Sequence, residues 1–311
     1  MTFKFEDIPD LTGKVSIVTG ANTGIGFITA RELARKNSHV FVAGRDKERC
    51  ETAVDKIKDE TGNNNVEYLP LDLQSLRSVK KAAESFLNRK LPLHILINNA
   101  AIMTTPFSLT VEGIMDQFGI NHIGHFYFTK LLLPTIESSA PSRIVNISSK
   151  GHTRAPDCGI DFENLNNPEA YGPMSRYAQS KLANILFSLE LNKRLAGKEV
   201  YVNSVHPGIV KTELTRSVDK AWGIWTKPLV GLAKLLFFVS PDNGALTQLY
   251  CATSPEIVEK NLRAKYFVPY AQLEEPTVQA KDEELARKLW EFSENFVNER
   301  LKKIEEEDKA K

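Results

Sequence analysis

Hydrophobic positions along this chain form two kinds of pattern, short apolar runs and longer amphipathic stretches. KVSIVTG, HVFVAG and SRIVNISS are rich in β-branched residues and predict strands, whereas FITARELARK and YAQSKLANILFSLELNKRL carry apolar residues at helical spacing. Strand and helix alternate from residue 14 to about residue 270. Strands joined by helical crossovers lie parallel, so this order predicts an α/β fold with one doubly wound, mostly parallel sheet of about seven strands and helices on both faces.

The same patterns predict the remaining elements. Further strands are expected at VEYLPLDL, LHILINNAA, EVYVNSV and KYFVPY, and helices at about 46–60, 75–87 and 242–253. FGINHIGHFYFTKLLLP predicts a long helix that stops near Pro134, because proline interrupts helical hydrogen bonding. We expect a C-terminal helix and tail at about 280–311, with KKIEEEDKAK as a frayed, solvated end.

Composition narrows the class of protein. The 311 residues are 42% hydrophobic and 25% charged, which is ordinary for a globular protein. The formal net charge is +1, so no basic surface argues for a nucleic-acid partner. No repeat or low-complexity linker divides residues 1–311, and we therefore expect a single domain.

Cysteine usage and the N-terminus indicate the compartment. Cys50, Cys158 and Cys251 are widely separated and odd in number, which favours a reducing compartment over a disulfide framework. The first residues lack a basic start followed by an apolar core, and no apolar stretch reaches the ~18 residues that span a bilayer. We expect a cytoplasmic protein without a signal peptide.

A glycine-rich turn connects the first predicted strand with the first predicted helix. TGANTGIG places Gly20, Gly24 and Gly26 there, in the spacing G-x-x-x-G-x-G. Glycine permits a tight turn, and the N–H groups and dipole of a helix start attract a pyrophosphate. The context predicts dinucleotide binding, and a tight turn without a ligand is the alternative.

The residue after the second strand indicates which dinucleotide is bound. A site for an unphosphorylated ribose has an acidic residue there, whereas this strand ends at Gly44 and is followed by Arg45. A guanidinium binds phosphate well, so we expect NADP(H) to be preferred over NAD(H). Asp46 either turns inward, which would weaken this interpretation, or caps the next helix.

Other polar residues follow predicted strands, at the edge where open parallel sheets bind ligands. Asp72 lies where an adenine would bind, although an ordinary turn aspartate has the same pattern. NNAA (98–101) suits close approach to a cofactor. Of Ser148 and Ser149, one could donate to a substrate oxygen while the other caps a loop. HPGIV (206–210) breaks a strand and exposes backbone groups that could pair with a nicotinamide carboxamide.

Tyr177 and Lys181 are four residues apart on a predicted helix and therefore lie on the same face. A free tyrosine titrates near pH ~10, and a neighbouring ammonium stabilises the phenolate, so we expect Lys181, together with a second positive charge from a bound cofactor, to lower the pKa of Tyr177. Such a pair suits proton transfer. The alternative is a tyrosine and a lysine on a solvated helix face.

Asn121 lies among apolar residues of the predicted long helix, so it either satisfies a helix break or serves a site. We assign no role to the nearby His122 and His125, which are typical of packed or surface histidines. No acidic partner at metal-ligand spacing accompanies them, and we expect no metal site.

The segment WGIWTKPLVGLAKLLFFVS (222–240) is unusually apolar. Three interpretations fit it: a lid over an apolar substrate, an element on a membrane surface, or a plain buried helix. As a substrate lid it would occupy about 212–240.

Together these motifs resemble one family. TGANTGIG, NNAA, Asn121, ISS, YAQSK and HPGIVKTEL occur in the order typical of the short-chain dehydrogenase/reductase superfamily, over about residues 12–270. YAQSKLANILF followed by SVHPGIVKTEL is most similar to the retinol dehydrogenase and WW-domain oxidoreductase branch. The resemblance implies a Rossmann fold and an oxidoreductase.

The resemblance also implies roles for four residues. Tyr177 matches the proton donor and acceptor, and Lys181 matches the residue that holds the nicotinamide ribose and tunes the phenol. Ser149 matches the group that polarises the carbonyl, and Asn121 matches the helix-break residue that anchors a water in a proton relay. Two departures are a longer interval between Ser149 and Tyr177 than in minimal members, and Ala101 where the family usually has glycine.

The function implied by the resemblance is the NADP(H)-dependent interconversion of a carbonyl and an alcohol on a small to medium apolar substrate, such as a retinoid, steroid or fatty aldehyde. A dinucleotide sensor or scaffold without turnover is the alternative. Peripheral contact with a membrane or lipid droplet is compatible with both the oxidoreductase and the sensor or scaffold. Members of this family often form dimers, so the resemblance also allows a homodimer. The implied cofactor-binding residues are Gly20, Asn22, Thr23, Gly24, Ile25, Gly26, Arg45, Asp72, Leu73, Asn98, Ala100, Tyr177, Lys181, Pro207, Gly208, Val210 and Thr212.

Overall fold

The computed structural model of the protein describes residues 3–208, 210 and 240–309. The β-strands in these ranges are β1 (Val15–Thr19), β2 (His39–Gly44), β3 (Val66–Pro70), β4 (Ile95–Asn98), β5 (Ser142–Ile147), β6 (Val200–Val205), β7 (Tyr266–Val268) and β8 (Gln272–Leu273). They form one sheet in the order β3-β2-β1-β4-β5-β6-β7-β8. Neighbours from β3 to β7 are parallel, and β8 pairs with β7 in antiparallel orientation. The predicted mostly parallel α/β sheet is confirmed, with short β8 as the additional strand.

Burial on both faces explains why the central strands lack the strict apolar–polar alternation of a half-exposed strand. β1, β4, β5 and β6 are buried along their whole length. β1 lies between β2 and β4, with Val15 opposite His39 and Ile17 opposite Leu96. The strand order therefore reverses beside β1. Such a switch point opens a crevice at the carboxyl ends of the strands, where open α/β sheets bind ligands.

Helices cover both faces of the sheet. Those in the described ranges are α1 (Gly24–Arg35), α2 (Lys47–Thr61), α3 (Leu76–Leu87), α4 (Asp116–Phe118), α5 (His125–Ser138), α6 (Pro173–Arg194), α7 (Pro241–Thr253), α8 (Glu256–Glu259) and α9 (Glu283–Lys309). Helices α1, α2 and α7 pack in the same core as Val18, whereas α3, α5, α6 and α9 pack in the core that contains Ile17. No helix in the described ranges is long and apolar enough to cross a lipid bilayer.

The prediction that the long helix stops near Pro134 is wrong. Helix α5 contains Pro134 and continues to Ser138. Pro134 is exposed, and on the solvent side of a helix a carbonyl that loses its helical partner can bind water. The interruption lies earlier in the chain, where residues Gly119–Gly124 form a π-helical turn between α4 and α5.

The C-terminal end is helical rather than frayed, because α9 continues to Lys309, but it is solvated as predicted, with residues 302, 303 and 305–309 exposed. Leu301 and Ile304 pack against the core beneath it. Arg77 adds an ion pair with Asp308 at 2.6 Å between Nη1 and Oδ1. The predicted lid at about 212–240 falls on residues that lie, except for Ser240, outside the described ranges.

Candidate active site

A cleft of about 380 Å³ lies at the carboxyl edge of the sheet. Residues that follow each of the strands β1 to β6 line it, among them Gly20, Arg45, Asp72, Ala100, Ser149 and His206. The cleft therefore crosses the switch point of the sheet, at the edge where the polar residues were predicted to gather.

The glycine turn between β1 and α1 forms a cradle that side chains would fill. Gly20 has a φ of +64°, and a Cβ there would lie 2.9 Å from Ala100 Cα. A Cβ on Gly26 would lie 2.5 Å from both the Gly20 carbonyl oxygen and Asn99 Nδ2. Helix α1 begins at Gly24 beside this turn. The turn fits a pyrophosphate, because it combines close backbone approach with the N-terminus of a helix.

Two arginines line the cleft after β2. Both are exposed; Arg45 precedes the cap of α2, and Arg49 lies in the first turn of that helix. Asp46 also lines the cleft, but its carboxylate accepts a hydrogen bond from the Arg49 backbone N–H at 3.1 Å and caps α2. The helix-cap interpretation of Asp46 is therefore confirmed. Asp72 has both of its predicted features, because it lines the cleft and its Oδ1 accepts from the Gln74 N–H at 3.0 Å.

Tyr177 and Lys181 line the cleft from helix α6. Lys181 Nζ lies 5.6 Å from the centroid of the Tyr177 ring, so the predicted shared face is confirmed. Lys181 Nζ donates to the Ile147 carbonyl at 2.9 Å, and Asn184 Nδ2 donates to the same oxygen at 2.9 Å. The end of β5 thus anchors the ammonium beside the phenol.

Ser149 is oriented by the 3₁₀ helix Lys150–Arg154 that follows β5. Its Oγ accepts from the Gly151 N–H at 3.0 Å, which leaves the hydroxyl proton able to point to a ligand. A Cβ on Gly151 would lie 3.2 Å from both Ser149 Oγ and Tyr177 Cε1, so the two side chains flank the same glycine. Ser148 Oγ instead donates to the Lys181 carbonyl at 2.7 Å and ties β5 to α6.

Burial shifts both ionisable groups of this pair toward their neutral forms. It raises the pKa of Tyr177 to about 12, and the neighbouring Ser149 hydroxyl opposes that rise. It lowers the pKa of Lys181 to about 7. The net shift of the Tyr177 pKa is therefore opposite in direction to the one expected from neighbouring cations, because burial has the largest effect on the phenol.

Asn121 lies in the π-helical turn and is fully buried. Its Oδ1 accepts from the Ile102 N–H, and its Nδ2 donates to the Ile102 carbonyl and to Ser180 Oγ, each at 2.9 Å. Ser180 Oγ in turn donates to the Tyr177 carbonyl at 2.7 Å. Asn121 therefore satisfies the helix break and ties the loop after β4 to α6, but its side chain does not line the cleft.

The structure does not bring the Asn98 side chain to the cleft. Its Nδ2 donates to Thr129 Oγ1 at 3.0 Å and to Asn146 Oδ1 at 2.7 Å, inside the core. The next residue, Asn99, lines the cleft and donates from Nδ2 to the Thr19 carbonyl at 2.8 Å. Of the two asparagines only Asn99 therefore lines the cleft, because successive side chains at a strand end point to opposite sides.

The remaining predicted cofactor residues gather in one place. Thr212 lies outside the described residues. The sequence analysis missed other residues that line the cleft, among them Thr19 and Arg49. Thr19 directly precedes Gly20, and Arg49 follows Arg45 by four residues, so each could have been found from its spacing to a predicted residue. The predicted residues that line the cleft are Gly20, Asn22, Thr23, Gly24, Ile25, Gly26, Arg45, Asp72, Leu73, Ala100, Tyr177, Lys181, Pro207, Gly208 and Val210.

The structure has a parallel sheet with a glycine turn at its switch point, and a Ser–Tyr–Lys group lies on the wall of the same cleft. These features define a class of protein, the Rossmann-fold oxidoreductases. More particularly, the chain belongs to the short-chain dehydrogenase/reductase family. The sequence model described as short chain dehydrogenase matches residues 14–159 and 166–222. The family resemblance inferred from the motifs is confirmed.

Sequence relatives place the chain in the retinol dehydrogenase-like branch. It is 45% identical over 278 residues to an uncharacterized oxidoreductase of Schizosaccharomyces pombe, with 86% of this chain and 80% of that protein covered. It is 42% identical over 288 residues to human retinol dehydrogenase 13, with 92% and 85% covered. Identity to the WW domain-containing oxidoreductase of Pongo abelii is 41% over 298 residues, with 94% and 70% covered.

Solved structures agree with this fold. A crystal structure of an uncharacterized protein from Mycobacterium paratuberculosis has a TM-score of 0.77 at 34% identity, and covers 96% of this chain and 98% of that one. Actinorhodin polyketide ketoreductase, solved with NADPH, has a TM-score of 0.66 at 25% identity, with 82% and 95% covered.

Proposed function

We propose that the protein is an NADP(H)-dependent oxidoreductase that interconverts a carbonyl and an alcohol on a small to medium apolar substrate. The observation that carries the proposal is that Ser149, Tyr177 and Lys181 line the same cleft as the turn Gly20–Gly26. When bound, the dinucleotide supplies or accepts the hydride. The chain's own residues bind and orient the dinucleotide and the substrate, and they move the proton.

Tyr177 is the acid and base of this proposal. In the reductive direction the substrate oxygen becomes an alkoxide and takes the phenol proton, and oxidation reverses the transfer. Ser149 donates its hydroxyl proton in a hydrogen bond to the same oxygen and stabilises the developing charge. Its Oγ accepts from the Gly151 N–H, and this orients the hydroxyl while leaving its proton free to donate.

Lys181 supports the phenol through its charge. With a pKa of about 7, its ammonium and amine forms are both populated near neutral pH, and the ammonium stabilises the phenolate that proton transfer creates. Asn121 is proposed to continue the proton path to solvent through a water bound at its backbone, because Ile102 and Ser180 already occupy its side chain.

The cleft residues fit the parts of a dinucleotide phosphate. The glycine turn and the start of α1 would hold the pyrophosphate, Asp72 would contact the adenine, and Lys181 the nicotinamide ribose. Arg45, together with Arg49, would bind the 2′-phosphate. The ketoreductase solved with NADPH supports this preference by its similarity.

The proposed substrate is a retinoid, steroid or fatty aldehyde. Support comes from the names of the relatives, which include retinol dehydrogenase 13, and from the apolar side chains Ile102 and Ile120 on the cleft wall. A cytoplasmic location, peripheral contact with a membrane or lipid droplet, and a homodimer also remain proposals. The apolar segment that bears on lipid contact, residues 222–239, lies outside the described ranges.

A substrate panel assayed with each cofactor tests the proposed function. Retinal, a ketosteroid, long-chain aldehydes and polar sugars would be incubated with NADPH and with NADH, and cofactor fluorescence would be followed. We expect turnover of apolar carbonyls with NADPH. Dinucleotide binding without turnover of any carbonyl or alcohol in the panel would favour the sensor or scaffold instead.

A further inference from the structure

His125, the first residue of α5, contacts two parts of the site although it does not line the cleft. It is buried, with Nε2 2.8 Å from Thr19 Oγ1 and Nδ1 3.2 Å from the Asn121 carbonyl oxygen. Thr19 ends β1 and lines the cleft, whereas Asn121 belongs to the π-helical turn. The imidazole thus lies between the glycine turn and the turn that carries Asn121.

The partners of His125 fix the direction of each hydrogen bond. The Asn121 carbonyl only accepts, so Nδ1 carries the proton and Nε2 of the neutral ring accepts from the Thr19 hydroxyl. The Thr19 oxygen is then left to accept from the backbone N–H groups of Asn99 and Ala100, each at 2.9 Å. Burial lowers the pKa of His125 to about 3, in agreement with a neutral ring.

A doubly protonated ring does not fit these contacts. Thr19 Oγ1 would then face three N–H donors with two lone pairs. The nearest remaining acceptor for its own proton is the Ile97 carbonyl, at 3.5 Å. The arrangement therefore has one consistent set of donors and acceptors, which gives the bridge a defined geometry.

The bridge joins the two sides of the proposed site. At one end, the backbone of Ala100 lies against Gly20, where a Cβ would be 2.9 Å from Ala100 Cα. At the other end, Asn121 Nδ2 donates to Ser180 Oγ at 2.9 Å, and Ser180 Oγ donates to the Tyr177 carbonyl at 2.7 Å. Hydrogen bonds through His125, Asn121 and Ser180 thus connect Thr19, which directly precedes the proposed pyrophosphate turn, with the helix of the proposed acid.

We propose that His125 is a positioning residue that couples dinucleotide binding at the glycine turn to the placement of Asn121 and of the helix that carries Tyr177. The inference rests on the proposed function, because it requires a dinucleotide in the cleft. Its consequence is that loss of the bridge lowers turnover more than it lowers dinucleotide affinity.

His122 provides a matched control. It lies in the π-helical turn, three residues before His125, and is 1% exposed, against 2% for His125. Burial lowers the pKa of His122 to about 3 as well. Its Nε2 contacts Ser293 Oγ on α9 at 2.8 Å, away from the cleft. His122→Asn therefore measures the loss of a buried histidine without loss of the bridge.

The experiment compares the full-length wild type with His125→Asn, His125→Gln, Thr19→Val, the double variant Thr19→Val/His125→Asn, and His122→Asn. Asparagine places a polar atom near the position of Nδ1, which contacts Asn121, but none near Nε2. Glutamine places a polar atom near the position of Nε2, which contacts Thr19, but none near Nδ1. NADPH affinity is measured by fluorescence, and hydrogen exchange of the glycine turn (residues 20–26) and of residues 119–124 is measured with and without NADPH. Then kcat and KM are measured with a carbonyl that the wild type reduces.

In the wild type we expect NADPH to slow exchange both at the glycine turn and at residues 119–124. In His125→Asn the slowing should be confined to the glycine turn, with Kd for NADPH changed less than about threefold and kcat lowered about 10- to 100-fold. The double variant should lose no more kcat than its worse single variant, because both break one bridge. His122→Asn should keep the wild-type response.

The inference would be overturned if NADPH slowed exchange at residues 119–124 equally in His125→Asn and in the wild type. It would also be overturned if the kcat losses of the two single variants multiplied in the double variant. His125→Gln, which loses the contact with Asn121, supplies the same comparison should His125→Asn not fold. A wild type that binds neither NADPH nor NADH would overturn the proposed function together with this inference. If the wild type binds a dinucleotide but His125→Asn keeps the wild-type exchange response, only this inference is overturned and the proposed function stands.

Discussion

Lys181 holds its Nζ atom 5.6 Å from the centre of the Tyr177 ring, and the two side chains are only 1% and 4% exposed. Helical spacing places them together, and burial then acts on both. The pKa of the phenol rises to about 12, and the pKa of the ammonium falls to about 7. The pair therefore favours neutral forms until a bound ligand adds interactions with the charged ones.

Lys181→Met should change how stability depends on pH. Burial lowers the pKa of Lys181 from 10.5 to about 7, so between these values the unfolded chain binds the proton and the native protein does not. The free energy of unfolding contributed by this group therefore rises with pH. From pH 7 to pH 9 we expect the wild type to gain about 2 kcal/mol relative to Lys181→Met, as measured by urea unfolding.

Lys193→Met is the control for this comparison, because Lys193 lies on the same helix but is exposed and paired with Glu283. The measurement stops below pH 10, where Tyr177 begins to act in the opposite direction. Its raised pKa makes the native protein keep a proton that the unfolded chain loses, so stability falls there. Equal gains in the wild type and Lys181→Met would contradict the assigned shift.

Arg45→Ala should weaken NADPH binding far more than NADH binding. A guanidinium that binds the 2′-phosphate contributes a charge-assisted hydrogen bond of about 1.5–3 kcal/mol, or roughly a 10- to 100-fold change in Kd. Arg49→Ala should act in the same direction, because Arg49 lines the same part of the cleft. Fluorescence titration with each dinucleotide measures the difference.

Lys47→Ala is a suitable control for the arginine variants, because Lys47 is an exposed cation on α2 that does not line the cleft and pairs with Glu51. It should change neither affinity by more than about twofold, since screened surface charges act weakly. Equal losses of NADPH and NADH affinity in Arg45→Ala would argue against a phosphate contact.

Gly26→Ala should distort the glycine turn. The new Cβ would lie 2.5 Å from the Gly20 carbonyl oxygen, and a backbone atom in a tight turn cannot move away cheaply. Overpacking of this kind lowers the free energy of unfolding by about 1–3 kcal/mol. We also expect dinucleotide affinity to fall at least about tenfold, because the cradle for the pyrophosphate is displaced.

Gly172→Ala isolates the effect of adding a methyl group, because no atom lies within 4 Å of a Cβ at that position. Unfolding and dinucleotide titration of both variants can be run side by side. Wild-type affinity in Gly26→Ala would show that the turn does not hold the pyrophosphate.

Features that depend on neighbouring residues could be predicted from the sequence. The cap at Asp46, the glycine turn before α1 and the shared face of Tyr177 and Lys181 each follow from spacing within one or two helical turns. The parallel sheet follows from the alternation of strands and helices, because each crossover fixes the orientation of the next strand.

Features that depend on distant contacts could not be predicted. His125 gained no role from the sequence because its partner Thr19 lies 106 residues away. Asn98 and Asn99 are equivalent in the sequence, and only packing against Thr129 shows which one faces the core. The raised pKa of Tyr177 arises from burial by the whole fold, which the local spacing of Tyr177 and Lys181 does not show.

Tyr177→Phe tests the central claim most directly, with NADPH affinity and carbonyl turnover measured on the same preparation. Tyr171→Phe serves as the control, because the Tyr171 hydroxyl donates to Asp161 Oδ2 at 2.8 Å and does not line the cleft. We predict that Tyr177→Phe binds NADPH within about threefold of the wild type and loses at least about 10²- to 10⁴-fold in turnover, because it lacks the proton that the substrate oxygen needs. Near-native turnover in Tyr177→Phe would contradict the assignment of Tyr177 as the acid and base.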